Sequence, residues 1–309
     1  MKKLIFTLFT FTLILASCGG STENKGAENV DSKEEANQII SYTNDLIDYL
    51  NATGGWTRSN SSRMADMIKF MKTGRKPTVV LPLMPNTSLN ISMKKKDLTT
   101  PPIVMSEEEK TYFKDNMTTY KAGYESLVEN CSTLYKYIQN QDYKDDNFEK
   151  GKSLADSIEI KNNSLNEIRG GLYAKIESVT EKAEGIILAD SPLKDPILTL
   201  KAELKGFDEL TDLYSAYTEG EATPEQVDAA YQAMAAKVEK NKDMYKDILE
   251  AQKKQSSYNS FYKECDDALA TYRKILREVK AKKKLSERDF KSISSDYNSL
   301  INAYNRFIK

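Results

Sequence analysis

Residues 106–141 read SEEEKTYFKDNMTTYKAGYESLVENCSTLYKYIQNQ, and this stretch decides the fold class. Its apolar and aromatic side chains recur in alternating steps of four and three residues. A 3.5-residue repeat sustained over several heptads predicts a helix that packs along one continuous seam. The predicted seam consists of Phe113, Met117, Tyr120, Tyr124, Leu127, Cys131, Leu134 and Ile138.

The same spacing recurs in three later segments of the chain. These further seams are Val227, Tyr231, Met234, Val238, Asn241, Tyr245 and Ile248; Tyr258, Tyr262, Cys265, Leu269, Tyr272, Leu276 and Val279; and Ile293, Tyr297, Leu300, Tyr304 and Phe307. No window of comparable length alternates with a period of two, so a β-sheet is not expected. The sequence therefore predicts an all-α fold, an elongated antiparallel multi-helix bundle with coiled-coil-like seams.

Capping signals mark several helix ends. The expected N-caps are Ser106, Thr223 before Pro224, Ser286, Asp146 and Ser32, each followed by Glu, Gln or Asp three residues later. Gly220 is expected to end a helix. The predicted helices span 32–51, 59–73, 106–141, 147–187, 196–219, 224–254, 257–284 and 287–308, with a kink or short turn near 253–257.

One long segment, 74–105, lacks helical periodicity. It contains Pro77, Pro82, Pro85, Pro101 and Pro102. A loop of about thirty residues is unusual within a compact domain and often serves a function. We expect it either to contact a ligand or partner, or to act as a spacer that covers a helix end.

The N-terminus carries the strongest functional signal. Lys2 and Lys3 precede a short apolar run, and Leu15-Ala16-Ser17-Cys18 follows it. A run this short cannot cross a hydrocarbon core that needs about 20 helical residues, which favours a signal peptide. The tetrapeptide resembles the bacterial lipobox, so residues 1–17 are predicted to be a lipoprotein signal peptide. An ordinary secretory signal or an uncleaved short anchor are the alternatives.

If the lipobox is used, Cys18 becomes the lipidated first residue of the mature chain. Each buried CH₂ group contributes about 0.8 kcal/mol, so several acyl chains hold a protein durably on a membrane. Residues 18–31 are polar and predict a flexible tether, and 32–309 form the helical domain. The predicted location is the bacterial cell envelope, outside the cytoplasm, although the sequence leaves the choice between inner and outer membrane open.

Composition excludes several classes of function. The chain has 309 residues, 45 Lys and Arg against 46 Asp and Glu, and no His. Near-neutral charge argues against a nucleic-acid partner, and the missing His excludes His-based triads and metal sites. Apart from Cys18, the cysteines are Cys131 and Cys265, which we expect to be core thiols, with a mutual disulfide as the alternative. No phosphate-binding or dinucleotide motif occurs, so no cofactor and no metal are predicted.

A few residues stand out as candidate contacts with a partner. Trp56, the only Trp, lies with Arg58 and Gly54-Gly55 in a predicted turn, where Trp56 either contacts a partner or caps the end of the bundle. Lys94, Lys95 and Lys96 form a basic run that either meets anionic headgroups or is simply solvated surface.

Several stretches resemble the YiiG-like bacterial envelope lipoproteins, a family of unknown function. They are the lipobox at Cys18, the segments 40–51 and 143–146, and the closing segment 297–308. The resemblance implies an all-helical domain outside the cytoplasm and brings no catalytic residues.

The sequence thus favours a lipid-anchored binding or scaffolding protein of the cell envelope that is not an enzyme and has an envelope protein as its partner. The alternatives are a hydrolase of envelope glycans that works with carboxylates instead of His, and a protein that captures a small ligand.

Overall fold

Eight α-helices and one short 3-10 helix form the secondary structure of residues 28–85 and 96–309, the part of the chain that the computed structural model describes. The helices are α1 (Glu28–Thr73), α2 (Glu107–Asn140), α3 (Glu149–Leu188), α4 (Lys194–Glu219), α5 (Pro224–Asn241), α6 (Lys246–Ala251), α7 (Gln255–Lys280) and α8 (Glu287–Ile308). No strand occurs in these residues, so the predicted all-α bundle is confirmed. None of the described helices is both long and apolar enough to cross a lipid bilayer.

The predicted seams form the core. All eight seam residues of α2 are buried, as are all those of α7 and α8. In α5 the first four seam residues are buried. The 3.5-residue period therefore identified the inward faces of these helices correctly.

Most of the predicted helix ends are also confirmed. Ser106, Thr223 and Ser286 each form a reciprocal capping box with the residue three positions later. Gly220 ends α4 with a φ of 82°, a left-handed conformation that glycine adopts without steric cost. Asp146 accepts hydrogen bonds from the backbone N–H groups of Phe148 and Lys150 at the start of α3.

The first helix differs from the prediction. The expected helices 32–51 and 59–73 are one continuous helix, and Ser32 lies inside it instead of capping it. Gly54 and Gly55 are helical, although each costs about 1 kcal/mol relative to alanine. Burial of Leu50, Trp56 and other side chains on both sides of the pair outweighs this cost.

The predicted helix 224–254 is also wrong, because α5 ends at Asn241 and α6 begins at Lys246. Tyr245 has a φ of 67°, which interrupts the helix. The break shifts the inward face by one residue, so Leu249 is buried while Ile248 remains 38% exposed. The expected turn near 253–257 is confirmed, since α6 ends at Ala251 and α7 starts at Gln255.

The predicted helical domain 32–309 divides into two compact units. The N-terminal unit comprises Glu34–Ala183, with most of α1 and α3 and all of α2. The C-terminal unit comprises Glu184–Lys309 together with the described residues 28–33, and contains α4 to α8 with the first turns of α1 and the end of α3.

Helices α1 and α2 of the N-terminal unit run parallel, so the expected antiparallel arrangement does not hold for this pair. The ring of Tyr42 contacts Phe113 edge-on at 5.8 Å, and seven residues later Tyr49 contacts Tyr120 at 6.3 Å. Residue numbers rise together along the two helices, which defines their common direction.

Helix α3 runs antiparallel to α1. Thr180 Oγ1 donates to Thr43 Oγ1 at 3.2 Å, and Tyr173 donates to Asn51 Oδ1 at 2.6 Å. Here the residue number rises along α1 as it falls along α3.

The long loop makes the parallel pair possible. Two parallel helices need a connection that returns along their length, and the described parts of the loop follow α1 backwards. Met84 lies beside Asn60, whereas the later Leu98 accepts a hydrogen bond from Tyr42 at 2.9 Å. The segment 74–105 therefore serves as a crossover between helices.

Short turns join the helices of the C-terminal unit. Arg273 Nε donates to the Tyr231 hydroxyl at 2.8 Å, and Lys280 pairs with Asp228 at 2.7 Å. These contacts show that α5 and α7 are antiparallel.

Tyrosines fill much of the C-terminal core and hydrogen-bond at their tips. Tyr258 donates to the carbonyl of Asn241 and Tyr214 to the carbonyl of Tyr272, both at 2.9 Å. Burial raises the pKa of Tyr258 to about 12. Buried tyrosines that retain a partner for the hydroxyl support a packing role for these side chains.

Two carboxyl groups of this unit are buried, those of Glu184 and Glu203, and Glu203 is the more completely enclosed. Glu203 has 0% of its surface exposed, and Asn241 Nδ2 donates to its Oε1 at 2.7 Å. The ammonium of Lys237 lies 3.6 Å from Oε2. Burial raises the pKa of Glu203 above its ordinary value, because the core disfavours the charged form.

Both described cysteines are free and fully buried. Burial raises the pKa of Cys131 to about 12 and also raises that of Cys265. The thiolate is the nucleophilic form, so these thiols are inert core residues at neutral pH, as predicted.

Candidate functional site

The crossover loop is fixed to α1 at a buried asparagine. Asn60 Oδ1 accepts the backbone N–H of Met84 at 2.7 Å, and Asn60 Nδ2 donates to the carbonyl of Trp56 at 3.1 Å. The indole N–H of Trp56 donates to the carbonyl of Met84 at 2.9 Å. Asn60 Nδ2 also approaches the Met84 carbonyl at 3.4 Å, so three side-chain hydrogen bonds, two from Asn60 and one from Trp56, hold Met84 beside the helix.

A groove of about 920 Å³ lies where this part of the loop passes α1 and α2. Its lining residues are Tyr49, Trp56, Leu83, Met84, Pro85, Lys121, Tyr124, Glu125, Val128, Glu129, Ser132, Thr133 and Lys136. The volume falls in the range of ligand-binding clefts.

Aromatic rings form the floor of the groove. Trp56 and Tyr124 pack edge-on with ring centroids 5.8 Å apart, and Trp56 is only 5% exposed. Met84 is 46% exposed and Leu81, nearby in the same loop, 51%. The floor is therefore rigid, while flexible apolar side chains of the loop remain available at its edge.

The opposite rim is one face of α2. Lys121, Glu125, Glu129 and Lys136 are spaced by about one or two helical turns, which places them along a single line. Both glutamates and Lys136 are exposed. The rim presents two negative charges between two positive ones.

The structure separates the two residues that the sequence grouped in a turn. Trp56 lies within α1, not in a turn, and faces α2 and the loop. Arg58 is exposed and two helical positions further on, about 200° around the axis, so it does not line the groove. The expectation that both residues lie in one turn was wrong, because Gly54-Gly55 does not break the helix.

The far end of the loop is fixed as well. The exposed Lys96 pairs with Asp45 of α1. This ion pair fastens the crossover to α1. The neighbouring Asp97 accepts hydrogen bonds from Thr100 and Thr99, which hold the pKa of Asp97 at about 2, so it stays ionised at neutral pH.

The other predicted contacts, Lys94 and Lys95, lie outside the described residues, as does Cys18. In the described ranges, no set of three or more Cys, Asp or Glu side chains is arranged to hold a metal ion.

Sequence reasoning missed Asn60, Met84 and the exposed face of α2. Asn60 has no motif around it, and its role depends on a residue 24 positions later. From the sequence, this face of α2 is only the polar side of an amphipathic helix, and such a side is normally solvated surface.

The sequence profile of one family matches residues 30–190, slightly more than half of the chain, and the family is described as a domain of unknown function, DUF6845. The chain therefore belongs to the DUF6845 family. The match spans the whole N-terminal unit, so the groove lies within the family's domain. No protein with a curated description matches the chain.

Two solved structures share the fold. One is an α-helical protein from Bacteroides fragilis NCTC 9343, with 17% identity, a TM-score of 0.55, and coverage of 88% of this chain and 98% of that one. The other is an uncharacterised DUF3829-like protein from Bacteroides thetaiotaomicron VPI-5482, with 15% identity, a TM-score of 0.51, and coverage of 88% and 99%. At this identity the likeness concerns the helical fold alone.

Proposed function

We propose that this protein is a lipid-anchored binding module of the bacterial cell envelope, and that the groove of its N-terminal unit holds an extended segment of a protein partner. The groove itself carries this proposal. It combines an aromatic floor, exposed apolar side chains from the loop and a charged helical rim, and peptide-binding grooves commonly combine these features.

The anchor is proposed from the sequence. Cys18 sits in a lipobox-like tetrapeptide behind a short apolar run. Labelled fatty acid should enter the wild-type chain and fail to enter Cys18→Ser, which should accumulate as the uncleaved precursor. Label in the variant would contradict the anchor, and with it the envelope location. The resemblance to YiiG-like lipoproteins stays a prediction.

The rim suggests the chemistry of the partner. Glu125 and Glu129 are adjacent on the exposed face of α2, so a partner segment with basic side chains at its centre complements them. A bulky apolar side chain of the partner, next to its basic residues, would be buried against Met84 and Leu83. We therefore infer an extended segment that combines basic residues with one large apolar residue.

In-cell photo-crosslinking tests this proposal. A photoreactive amino acid at Ser132, which lines the groove, should give one reproducible adduct, whereas the same group at the exposed Ser164 of α3 should not. Mass spectrometry should place the adduct within a basic segment of the partner.

Charge reversal provides the matched comparison. Glu125→Lys with Glu129→Lys should reduce the Ser132 adduct by about tenfold or more, because like charges across an interface cost over 1 kcal/mol. Glu177→Lys with Glu181→Lys makes the same change on the exposed surface of α3 and should leave the yield unchanged. Equal losses in both variants, or no adduct at Ser132, would refute the groove as the binding site.

The carboxylate-hydrolase alternative has less support. Hydrolysis by two carboxyl groups requires acids with separated pKa values in one cleft. Burial raises the pKa of Glu203 and Asp48, but neither residue lines the groove. This distribution of acids favours binding over hydrolysis.

A further inference from the structure

A second polar cluster lies on the side of α1 that faces α3. A β-carbon on Gly54 would collide with the guanidinium of Arg169, so the absence of a side chain at this position leaves the space that the guanidinium occupies. Arg169 Nη2 donates to Asn166 Oδ1 at 2.7 Å, and the guanidinium also hydrogen-bonds to the Tyr120 hydroxyl. Arg169 is thus held in a defined position by neutral partners.

Neither of the two arginines in this region has an acidic partner among the described residues. Arg169 is half-buried, Arg58 is exposed, and no described carboxylate lies within 4.0 Å of either guanidinium. Charged groups removed from water are normally paired. An unpaired, half-buried guanidinium that is fixed in place therefore indicates a site for an anion.

Arg58 lies on the same face of α1 as Gly54, one helical turn further on. Because α3 runs antiparallel to α1, with Tyr173 beside Asn51 and Arg169 beside Gly54, the next turn of α1 brings Arg58 to the Arg169 side of the cluster. In agreement with this register, the charges of Arg169 and Arg58 both oppose the increase in the pKa of Tyr173 that burial causes. The Tyr173 hydroxyl in turn donates to Asn51 Oδ1 at 2.6 Å. Asn51, Gly54 and Arg58 therefore line one side of the cluster, and Tyr173 and Arg169 the other.

We propose that Arg58 and Arg169 bind a phosphate dianion, either inorganic phosphate or the terminal phosphate of a small phosphorylated molecule, at the α1–α3 face. Guanidinium groups bind phosphate oxygens through paired N–H donors. Two guanidinium charges match the charge of between about −1.5 and −2 that a terminal phosphate carries at neutral pH. A carboxylate would balance only one of them. This site is separate from the groove and does not depend on the proposed function.

Isothermal titration of the full chain with inorganic phosphate, glycerol 3-phosphate and acetate, at equal ionic strength, tests the site. At least one of the two phosphate compounds should bind, and it should bind more tightly than acetate. Tighter binding of inorganic phosphate would identify free phosphate as the ligand, and tighter binding of glycerol 3-phosphate would identify a phosphorylated small molecule. Arg169→Gln and Arg58→Gln should each weaken binding about tenfold or more, the loss expected for a hydrogen bond to a charged group. Arg288→Gln, the same change at an exposed position of α8, should have no effect.

Gly54→Ala separates a built site from general positive charge. The variant keeps every charged group but displaces the guanidinium of Arg169, so it should weaken phosphate binding several-fold. If Arg169→Gln does not fold, Arg58→Gln and Gly54→Ala still decide the question. The proposal is overturned if neither phosphate binds, if acetate binds equally well, or if Arg288→Gln loses as much affinity as the site variants.

Discussion

The two units use the same heptad packing but connect their helices differently. In the N-terminal unit, a long crossover joins two parallel helices, α1 and α2, and follows α1 along its length. In the C-terminal unit, short turns with capping residues such as Gly220 and Ser286 connect successive helices.

The two units also differ in where their charged groups lie. The crossover of the N-terminal unit leaves the charged face of α2 opposite a loop that carries exposed Leu81 and Met84, and a groove results. Both units bury polar groups such as Asn60 and the tyrosine hydroxyls, but among the described residues the fully buried carboxyl groups, Glu184 and Glu203, both lie in the C-terminal unit. A helical bundle gains a binding surface when a connection, instead of another helix, covers one of its sides.

The largest expected effect tests whether the two seams are equally well packed. Phe113→Ala and Phe307→Ala each remove a fully buried ring from a seam, one in each unit. Each should lower the free energy of unfolding of its own unit by about 3–5 kcal/mol. Urea denaturation followed by circular dichroism measures both. A loss below about 1 kcal/mol in one variant would show that its seam is loosely packed.

The next test concerns the carboxyl group enclosed in the C-terminal core. The pKa of Glu203 is raised in the folded protein above its ordinary value of 4.5, so the folded chain retains a proton that the unfolded chain loses. The free energy of unfolding should therefore fall as the pH rises from about 4.5, the pKa in the unfolded chain, to the higher pKa in the folded chain, and it should stay lower above that pKa. Glu203→Gln should remove this fall and be more stable than the wild type at neutral pH.

Glu250→Gln is the control for this pH dependence, because Glu250 is exposed and the change in charge is the same. Thermal unfolding at a series of pH values gives the comparison. The raised pKa of Glu203 would be contradicted if the stability of the wild type rose with pH while the stability of Glu203→Gln stayed constant.

A smaller effect is expected at the fixed point of the crossover. Asn60→Ala removes the acceptor for the Met84 N–H and both Nδ2 donor contacts, so the free energy of unfolding should fall by about 1–3 kcal/mol. Hydrogen exchange at Met84 should accelerate. Asn116→Ala removes a single bond within α2 and should leave exchange at Met84 unchanged. Unchanged exchange in Asn60→Ala would show that Asn60 does not fix the loop.

The smallest expected effect compares helix caps in the two units. Ser106→Ala and Ser286→Ala each remove one side of a capping box, and each should cost about 1 kcal/mol of stability. Chemical denaturation of both variants measures the costs. A clearly larger loss of stability in Ser106→Ala would indicate that this cap stabilises the end of the crossover in addition to the start of α2.

Local sequence signals predicted the parts of the fold that local interactions determine. Ser106, Thr223 and Ser286 cap helices because the capping bonds reach only three residues. Seam positions such as Cys131 are buried because the period of the sequence matches the period of the helix. The prediction failed at Gly54-Gly55, where intrinsic preference favours a break and the packing of α1 against α2 and α3 outweighs it.

The candidate sites show where sequence reasoning ended. The sequence singled out Trp56, Arg58 and the loop, but placed Trp56 and Arg58 in one turn. The structure instead brings Trp56 together with Met84, and places Arg58 one helical turn beyond Gly54, the residue beside which Arg169 lies. These pairings join residues far apart in the chain and follow no local motif.

By itself, the sequence determined the helices, most of their ends, the buried seams and the lipobox-like segment at Cys18, because each depends on neighbours within a few positions. Only the tertiary structure decided that α1 and α2 are parallel, that the crossover forms a groove with α2, and that Gly54 makes room for Arg169. These features depend on which helix faces pack together, and that choice rests on the summed burial of many side chains from distant parts of the chain.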